Sequence, residues 1–135
     1  MYHFFDAETM MGFQLTNTGL QMVLDVAVPD TIEQHFPDII HPFLAKSGLT
    51  IQDISHLVFH PGGKKIVQLV EGLFGGLGKN IDDTKEVLRQ YGNMSSATVL
   101  YVLERILDRR PETGALGLML SFGPGFSAQR ILLKW

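Results

Sequence analysis

The 135-residue sequence contains no cysteine. Disulfide bridges, thiolate metal sites and a cysteine nucleophile are therefore excluded within these residues. Charged residues are also few, at 19% of the chain, and the formal net charge is only −3. Because the eleven lysines and arginines are scattered without a basic run, the sequence does not indicate a nucleic-acid partner or a polybasic membrane surface.

Long apolar segments are missing as well. No run approaches the roughly 20 residues that a membrane-spanning helix needs, and the first residues are acidic where a signal peptide would be basic. We therefore expect a soluble, cytoplasmic protein with no membrane partner. Hydrophobic residues make up 45% of the chain, which is enough for one domain to bury a core without metal or disulfide help.

The order of the patterns predicts an α/β layered fold in one domain, residues 1–135. The N-terminal part predicts extended segments joined by a turn at 16–19. Apolar residues at helical spacing follow over 29–46. Within that stretch, Pro37 and Pro42 predict two short helical pieces, because a proline in a helix interior removes a backbone hydrogen bond.

The rest of the chain predicts a strand, three helices and a closing pair of strands. The first strand of that pair is apolar enough for a central strand buried on both faces. The predicted elements are the strand "HLVF" from residue 56, helices over 64–74 and 81–91, the second ended by Gly92, a helix with Ser95 or Ser96 as N-cap, and strands joined by "FGPG" at 122–125.

His60 directly follows the apolar strand and precedes Pro61, Gly62 and Gly63. A histidine in such a place is more often a hydrogen-bonded structural residue than a catalyst. However, ligands usually bind at the carboxyl ends of strands in α/β sheets, and glycines let backbone amides approach a ligand. This segment alone leaves both interpretations open.

Two further segments are equally ambiguous by themselves. Asn93 either caps the helix that begins near Ser95 or offers its side-chain amide to a substrate carbonyl. The "FGPG" stretch at 122–125 is, taken alone, only a hairpin connection. Neither segment identifies a function without the other.

Taken together and in this order, the segments resemble the C-terminal half of type III polyketide synthases, the chalcone and stilbene synthase family. The resemblance covers nearly the whole chain and implies a thiolase-like fold. In that fold two αβαβα halves pack together, and this chain would be one half, a mixed sheet flanked by helices. The matching stretches are "TNTGLQMVLDVAVPDTI" at 16–32, "HPGG" at 60–63, "TKEVLRQYGNMSSATVLYVLERI" at 84–106 and "SFGPGFSAQRILLKW" at 121–135.

The resemblance implies an acyltransferase that condenses a coenzyme A-linked starter with malonyl-CoA by decarboxylative Claisen condensation. It implies no metal and no cofactor, only coenzyme A thioesters as substrates. His60 and Asn93 match the family's catalytic histidine and asparagine, whose N–H groups would stabilise the enolate oxygen left by decarboxylation. The histidine would also hold the nucleophilic cysteine as a thiolate.

Further positions follow from the same resemblance, and each also has an ordinary interpretation as a core or turn residue. Met22 stands where plant members have a gatekeeper phenylalanine, and Ser121 stands where they usually have glycine, so we expect a pocket of different shape. The predicted substrate-pocket residues are Leu20, Met22, Ser95, Phe122, Gly123 and Pro124, and the predicted coenzyme A tunnel residues are Gly62 and Gly63.

The family's nucleophilic cysteine lies in the N-terminal half, so we expect these residues alone to be inactive. The expected partners are the N-terminal half of the same synthase and a second copy of the protein in a homodimer. A natural half-length protein is the alternative. Two other functions stay open: half of a β-ketoacyl-acyl carrier protein synthase III-like enzyme, or a non-catalytic thiolase-like module. A half-sandwich should also expose apolar surface and self-associate.

Overall fold

Six strands and four α-helices, with two short 3₁₀ helices, form the computed structural model, which describes residues 1–135. The strands are β1 (Tyr2–His3), β2 (Met11–Thr16), β3 (Gly19–Leu24), β4 (His56–Phe59), β5 (Leu116–Gly123) and β6 (Ser127–Lys134). The α-helices are α1 (Val28–Ala45), α2 (Lys64–Gly75), α3 (Asp82–Tyr91) and α4 (Thr98–Asp108), and the 3₁₀ helices are Ile51–Asp53 and Ser95–Ala97. The predicted α/β class is confirmed.

A mixed four-stranded sheet lies at the centre, in the order β1-β6-β5-β4. β4 and β5 run parallel, whereas β6 is antiparallel to both β5 and β1. The apolar strand β5 is internal, as its sequence predicts, and its alternate residues Leu118, Leu120 and Phe122 are buried on one face. The expected burial of both faces is only partial, because Met119 and Ser121 on the other face are half-buried. β4 lies at one edge of this sheet, so its outer side pairs with no further strand and faces α3 and loops instead.

The two faces of the sheet are covered unequally. On one face, α1 and α2 contribute to a core of 22 buried residues. On the other, α3 and α4 pack against β4 and build a cluster of only 4 buried residues. Ile131 of β6, which pairs with Met119 beside this small cluster, remains 51% exposed. The main core therefore lies between the sheet and α1 with α2.

The prediction of two helical pieces over 29–46 is wrong, because α1 is one helix of 18 residues with Pro37 and Pro42 inside it. Both prolines lie on the exposed face. The carbonyls that lose their partners belong to Glu33 and Asp38, which are also exposed, so water can hydrogen-bond to them. The opposite face is fully buried and holds the helix together: Ile32, Phe36, Ile39, Ile40 and Leu44.

The predicted N-cap at Ser95 or Ser96 is also wrong. α4 begins at Thr98 with Ala97 in the N-cap position and no side-chain cap, while Ser95–Ala97 forms a 3₁₀ helix. Ser95 has a φ of +60°, in the left-handed region. That backbone conformation differs from the extended one that an N-cap residue adopts.

The hairpin of β2 and β3 forms a separate two-stranded sheet with one apolar face. Its cross-strand pairs are Met11 with Leu24, Phe13 with Met22, and Leu15 with Leu20. Because side chains alternate along a strand, all six lie on the same face. Exposed fractions reach 71% for Leu20 and 79% for Leu15. The expected exposed apolar surface is therefore present here, and self-association stays a prediction.

No helix in the structure is both long enough and apolar enough to cross a membrane.

Phe74 on α2 gives a direct test of the main core. Its side chain is fully buried and its ring meets that of Phe36 edge-on, with centroids 5.1 Å apart. We expect Phe74→Ala to lower the free energy of unfolding by about 3–5 kcal/mol, since it leaves a cavity in the packed core. Leu100→Ala, at a position 59% exposed on α4, should change it by about 0.5 kcal/mol or less. Urea unfolding followed by circular dichroism measures both, and similar losses would contradict this packing.

Candidate active site

A cleft of about 220 Å³ opens at the carboxyl end of β4. The hairpin of β2 and β3, the start of α2, the loop after α3 and the β5–β6 turn surround it. It brings together eight of the ten residues predicted from the sequence, which come from four separate stretches of the chain: Met22, His60, Gly62, Asn93, Ser95, Phe122, Gly123 and Pro124.

His60 is held where the strand ends. Its backbone N–H donates to the carbonyl of Leu120 at 2.9 Å, which extends the β4–β5 pairing by one residue. On the opposite edge, the hydroxyl of the buried Thr84 donates to the Phe59 carbonyl at 2.8 Å. The residue before the histidine is thus bonded to α3, and the histidine itself to β5. These two hydrogen bonds fix the backbone on both sides of the strand end, and with it the direction in which the imidazole leaves the sheet.

The two ring nitrogens of His60 have different surroundings. Nδ1 is buried and makes no hydrogen bond, whereas Nε2 lies toward Gly62, where an added Cβ would be 3.9 Å away. Burial lowers the pKa of the imidazole from its ordinary value, so the neutral ring is favoured. A buried N–H without an acceptor is costly. We therefore expect the neutral ring to carry its hydrogen on Nε2.

The titration of His60 tests this burial. We expect its imidazole to titrate with a midpoint below 6.5, since burial disfavours the charged ring. The folded state then binds the proton less tightly than the unfolded state. His60 contributes stability that is present above about pH 6.5 and is lost as the pH falls toward the folded-state pKa. NMR of labelled histidine measures the midpoint, with the signal assigned by His60→Gln; a midpoint above 6.5 would contradict the expectation.

Asn93 joins the two loops of the cleft. Its Nδ2 donates to the Gly62 carbonyl at 3.0 Å, and its Oδ1 accepts from the Ser95 N–H at 2.9 Å. These two partners fix which way the carboxamide points, because Oδ1 must face the donor. Gly92, with a φ of +71°, ends α3 just before it. Asn93 therefore holds the Ser95 turn but does not cap α4, which begins at Thr98. Its carboxamide lies at the cleft, and a donor role toward a substrate stays a prediction.

The two glycines after His60 differ in what they require. Gly63 has φ +155° and ψ 163°, a region that only glycine occupies readily. Gly62 has no such conformation, and a Cβ there would make ordinary contact with the His60 ring. Gly62 lines the cleft and Gly63 does not, so Gly63 shapes the turn into α2. Their tunnel role stays a prediction.

A larger cavity of about 430 Å³ lies at the other end of β4, beside His56, and contains none of the predicted residues. Its cations already have partners within the fold: Arg109 pairs with Asp83, and Lys79 donates to two backbone carbonyls. No group of three or more histidine, aspartate or glutamate side chains is arranged to hold a metal ion. The smaller cleft is therefore the candidate active site.

Residues 3–135 match the family described as "Chalcone and stilbene synthases, C-terminal domain". The chain belongs to this family. The resemblance inferred from its sequence is thereby confirmed, as is its placement as the C-terminal domain of a type III polyketide synthase. Family membership also argues against the β-ketoacyl-acyl carrier protein synthase III-like alternative.

Individual members of the chalcone and stilbene synthase family agree with this assignment. The 1,3,6,8-tetrahydroxynaphthalene synthase of Streptomyces peucetius subsp. caesius is 37% identical over 131 residues, which cover 96% of this chain and 35% of that protein. The crystal structure of the Streptomyces coelicolor A3(2) 1,3,6,8-tetrahydroxynaphthalene synthase, a bacterial type III polyketide synthase, superposes with a TM-score of 0.87 at 30% identity, covering 99% and 38%. This similarity confirms the thiolase-like fold.

A third relative is itself described as a domain. The C-terminal type III polyketide synthase domain of "Steely1", a type I/III hybrid from Dictyostelium, superposes with a TM-score of 0.83 at 27% identity, covering 98% of this chain and 38% of that one. The chain thus spans little more than a third of the length of the proteins it matches.

The cleft of this chalcone and stilbene synthase family member also has an apolar wall that sequence reasoning largely missed. Phe122 and Met22 were predicted, and Phe122 is almost fully buried beneath the cleft. The signal was present in the hairpin, since residues that alternate with or pair with Met22 share its face. The missed lining residues are Met11, Gly12, Phe13, Leu24 and Ile66.

Leu20 is not among the residues that line the cleft. It pairs with Leu15 near the tip of the hairpin and is 71% exposed. It lies on the apolar face shared with Met22, so it continues the wall outward. Its role as a substrate-pocket residue stays a prediction.

Proposed function

We propose that this chain supplies the oxyanion-binding part of a polyketide synthase active site. In the complete protein, a coenzyme A-linked starter is condensed with malonyl-CoA by decarboxylative Claisen condensation. The observation that carries the proposal is the convergence of His60 and Asn93 on one cleft. The Asn93 amide bonds to the carbonyl of Gly62, two residues after the histidine.

The chemistry of the proposed step matches what these side chains offer. When the malonyl thioester loses carbon dioxide, the electron pair of the broken C–C bond remains as an enolate, and negative charge collects on the thioester oxygen. The Nε2–H of His60 and the Nδ2 group of Asn93 are donors to that oxygen. Preorganised donors of this kind contribute about 3–4 kcal/mol each to transition-state stabilisation.

The apolar wall supports the same step. Met11, Phe13 and Leu24 line the same cleft as the two polar groups, and apolar side chains there exclude part of the water that would otherwise surround those groups. Hydrogen bonds to a developing charge are stronger where the local dielectric is low. An apolar wall also suits a growing acyl chain, which we propose as the occupant of this side of the cleft.

The condensation step needs a cysteine that these residues lack. The acyl group is held on that cysteine as a thioester. The enolate carbon attacks the thioester carbonyl, and the cysteine thiolate leaves. None of the 135 residues is cysteine, so we propose that the N-terminal half of the same synthase provides it and that this chain alone does not transfer acyl groups. A homodimer in the cytoplasm, with the pantetheine arm passing Gly62 and Gly63, belongs to the same proposal.

The test uses the complete open reading frame that encodes this chain. Carbon dioxide release from malonyl-CoA and condensation with a short acyl-CoA starter are followed by mass spectrometry. We expect both activities. A complete protein that shows neither with any acyl-CoA would support the non-catalytic module. Turnover with malonyl-acyl carrier protein but not with malonyl-CoA would instead support the carrier-protein-dependent reaction.

A further inference from the structure

Thr98, the first residue of α4, is a fully buried polar residue close to the cleft. Its hydroxyl makes two hydrogen bonds of 2.8 Å: it accepts from the Met94 N–H and donates to the Ser95 carbonyl. Both partners lie in the turn that follows Asn93. Thr98 does not line the cleft itself, so any effect on chemistry passes through that turn.

The turn is one that needs support. Ser95 holds a left-handed φ of +60°, which is strained for a residue other than glycine. The Ser95 N–H is also the donor to Oδ1 of Asn93. If Ser95 relaxed to a right-handed conformation, its N–H would turn away and the carboxamide would lose one of its two anchors. No side-chain cap holds the start of α4 in another way.

We propose that Thr98 is a positioning residue for Asn93. Its hydroxyl holds Met94 and Ser95 so that the Asn93 carboxamide keeps Nδ2 at the cleft. This inference rests on the proposed function, in which Asn93 donates to the enolate oxygen. The inference adds to the proposed site a residue that does not line the cleft and that no sequence motif identifies.

Thr84 shows how a buried threonine acts elsewhere in the fold. It is as deeply buried as Thr98, but its hydroxyl makes one bond, to the Phe59 carbonyl. The hydroxyl of Thr98 instead uses both its donor and its acceptor on adjacent residues of one turn. Replacing it by an isosteric apolar side chain leaves the part-buried Met94 N–H without its acceptor, and it removes one of the two donors to the Ser95 carbonyl, which keeps only the Thr98 backbone N–H.

The experiment compares variants of the complete protein. Thr98→Val keeps the shape and removes the hydroxyl; Thr98→Ser and Thr98→Ala differ from each other only in the hydroxyl. The control is Thr31→Val on α1, whose hydroxyl donates to the Ala27 carbonyl and to Sδ of Met10, none of which lines the cleft. Values of kcat and KM for malonyl-CoA decarboxylation are measured at a temperature where thermal melts show each variant folded.

We expect Thr98→Val to lower kcat about 10- to 100-fold, since displacement of a catalytic group by about 1 Å has effects of that size. KM should change little, Thr98→Ser should stay near wild type, and Thr98→Ala should fall well below it. Thr31→Val should keep wild-type kcat. Equal kcat for the Ser and Ala variants, or for Thr98→Val and Thr31→Val, would overturn the proposal.

A second readout does not depend on activity. The side-chain amide signals of Asn93, assigned by their loss in Asn93→Asp, should shift in Thr98→Val while those of Asn80 stay in place. Unmoved Asn93 signals would overturn the proposal even if kcat fell. If wild-type protein decarboxylates nothing, the proposed function fails, and the amide signals still decide whether Thr98 positions Asn93.

Discussion

Replacing Asn93 by aspartate in the complete protein is expected to slow malonyl-CoA decarboxylation by about 10²- to 10³-fold. The substitution preserves size but removes the N–H donor. A carboxylate could still accept from the Ser95 N–H, yet it would face the Gly62 carbonyl that now accepts from Nδ2. It would also place a negative charge beside the oxygen on which the negative charge of the enolate develops. Release of carbon dioxide from malonyl-CoA measures the rate.

Asn80→Asp is the matched control for this change. Oδ1 of Asn80 accepts from the Asp82 N–H at the start of α3, away from the cleft, and aspartate can make the same bond. The same one-atom change should therefore leave decarboxylation near the wild-type rate. If both variants lost decarboxylation activity to a similar extent, the cause would be the added charge or a loss of stability, and the role of Asn93 in the oxyanion site would be contradicted.

His60→Gln is expected to lower starter condensation more than decarboxylation. Glutamine can still offer an N–H to the enolate oxygen, but it cannot accept a proton or pair as a cation with a thiolate. We expect acyl loading and condensation to fall by about 10²- to 10⁴-fold, the range for loss of an acid–base group. Decarboxylation should fall less. Loading is followed by mass spectrometry of the intact protein and condensation by product analysis.

The control for the histidine lies on the same strand. His56 begins β4, and its ring meets that of Trp135 edge-on, at the end of the strand away from the cleft. His56→Gln should leave loading and condensation near wild type. If His60→Gln lowered decarboxylation and condensation by the same factor, the separate acid–base role would be contradicted and only the donor role would remain.

The order of strands and helices could be predicted because each carries a local pattern. Apolar periodicity placed α2, and the dense apolar run placed β5 at the centre of the sheet. The failure at α1 has a tertiary cause: Pro37 and Pro42 lie on the exposed face, and burial of the opposite face outweighs two lost backbone bonds. The sequence places both prolines off the apolar stripe, but it does not show that burial of that stripe outweighs the two lost bonds.

The site was predictable where residues match a family motif and not where it depends on contacts. His60 and Asn93 were identified by resemblance, but their connection through Gly62 joins loops that the sequence separates. Phe13 and Leu24 line the cleft because of hairpin register. Thr98 has no motif signal, since only the left-handed turn at Ser95 makes its hydroxyl matter.

The most direct test of the central claim, that His60 and Asn93 stabilise the same oxyanion, is a double-variant cycle on decarboxylation. Rates are measured for the complete protein, for His60→Ala, which removes the ring N–H donor that glutamine could replace, for Asn93→Asp and for the combination. Donors that act on one oxygen are not independent, so the double variant should lose much less than the product of the two single losses. Losses that multiply would show that the two residues act on separate steps or groups, and would contradict the shared oxyanion site.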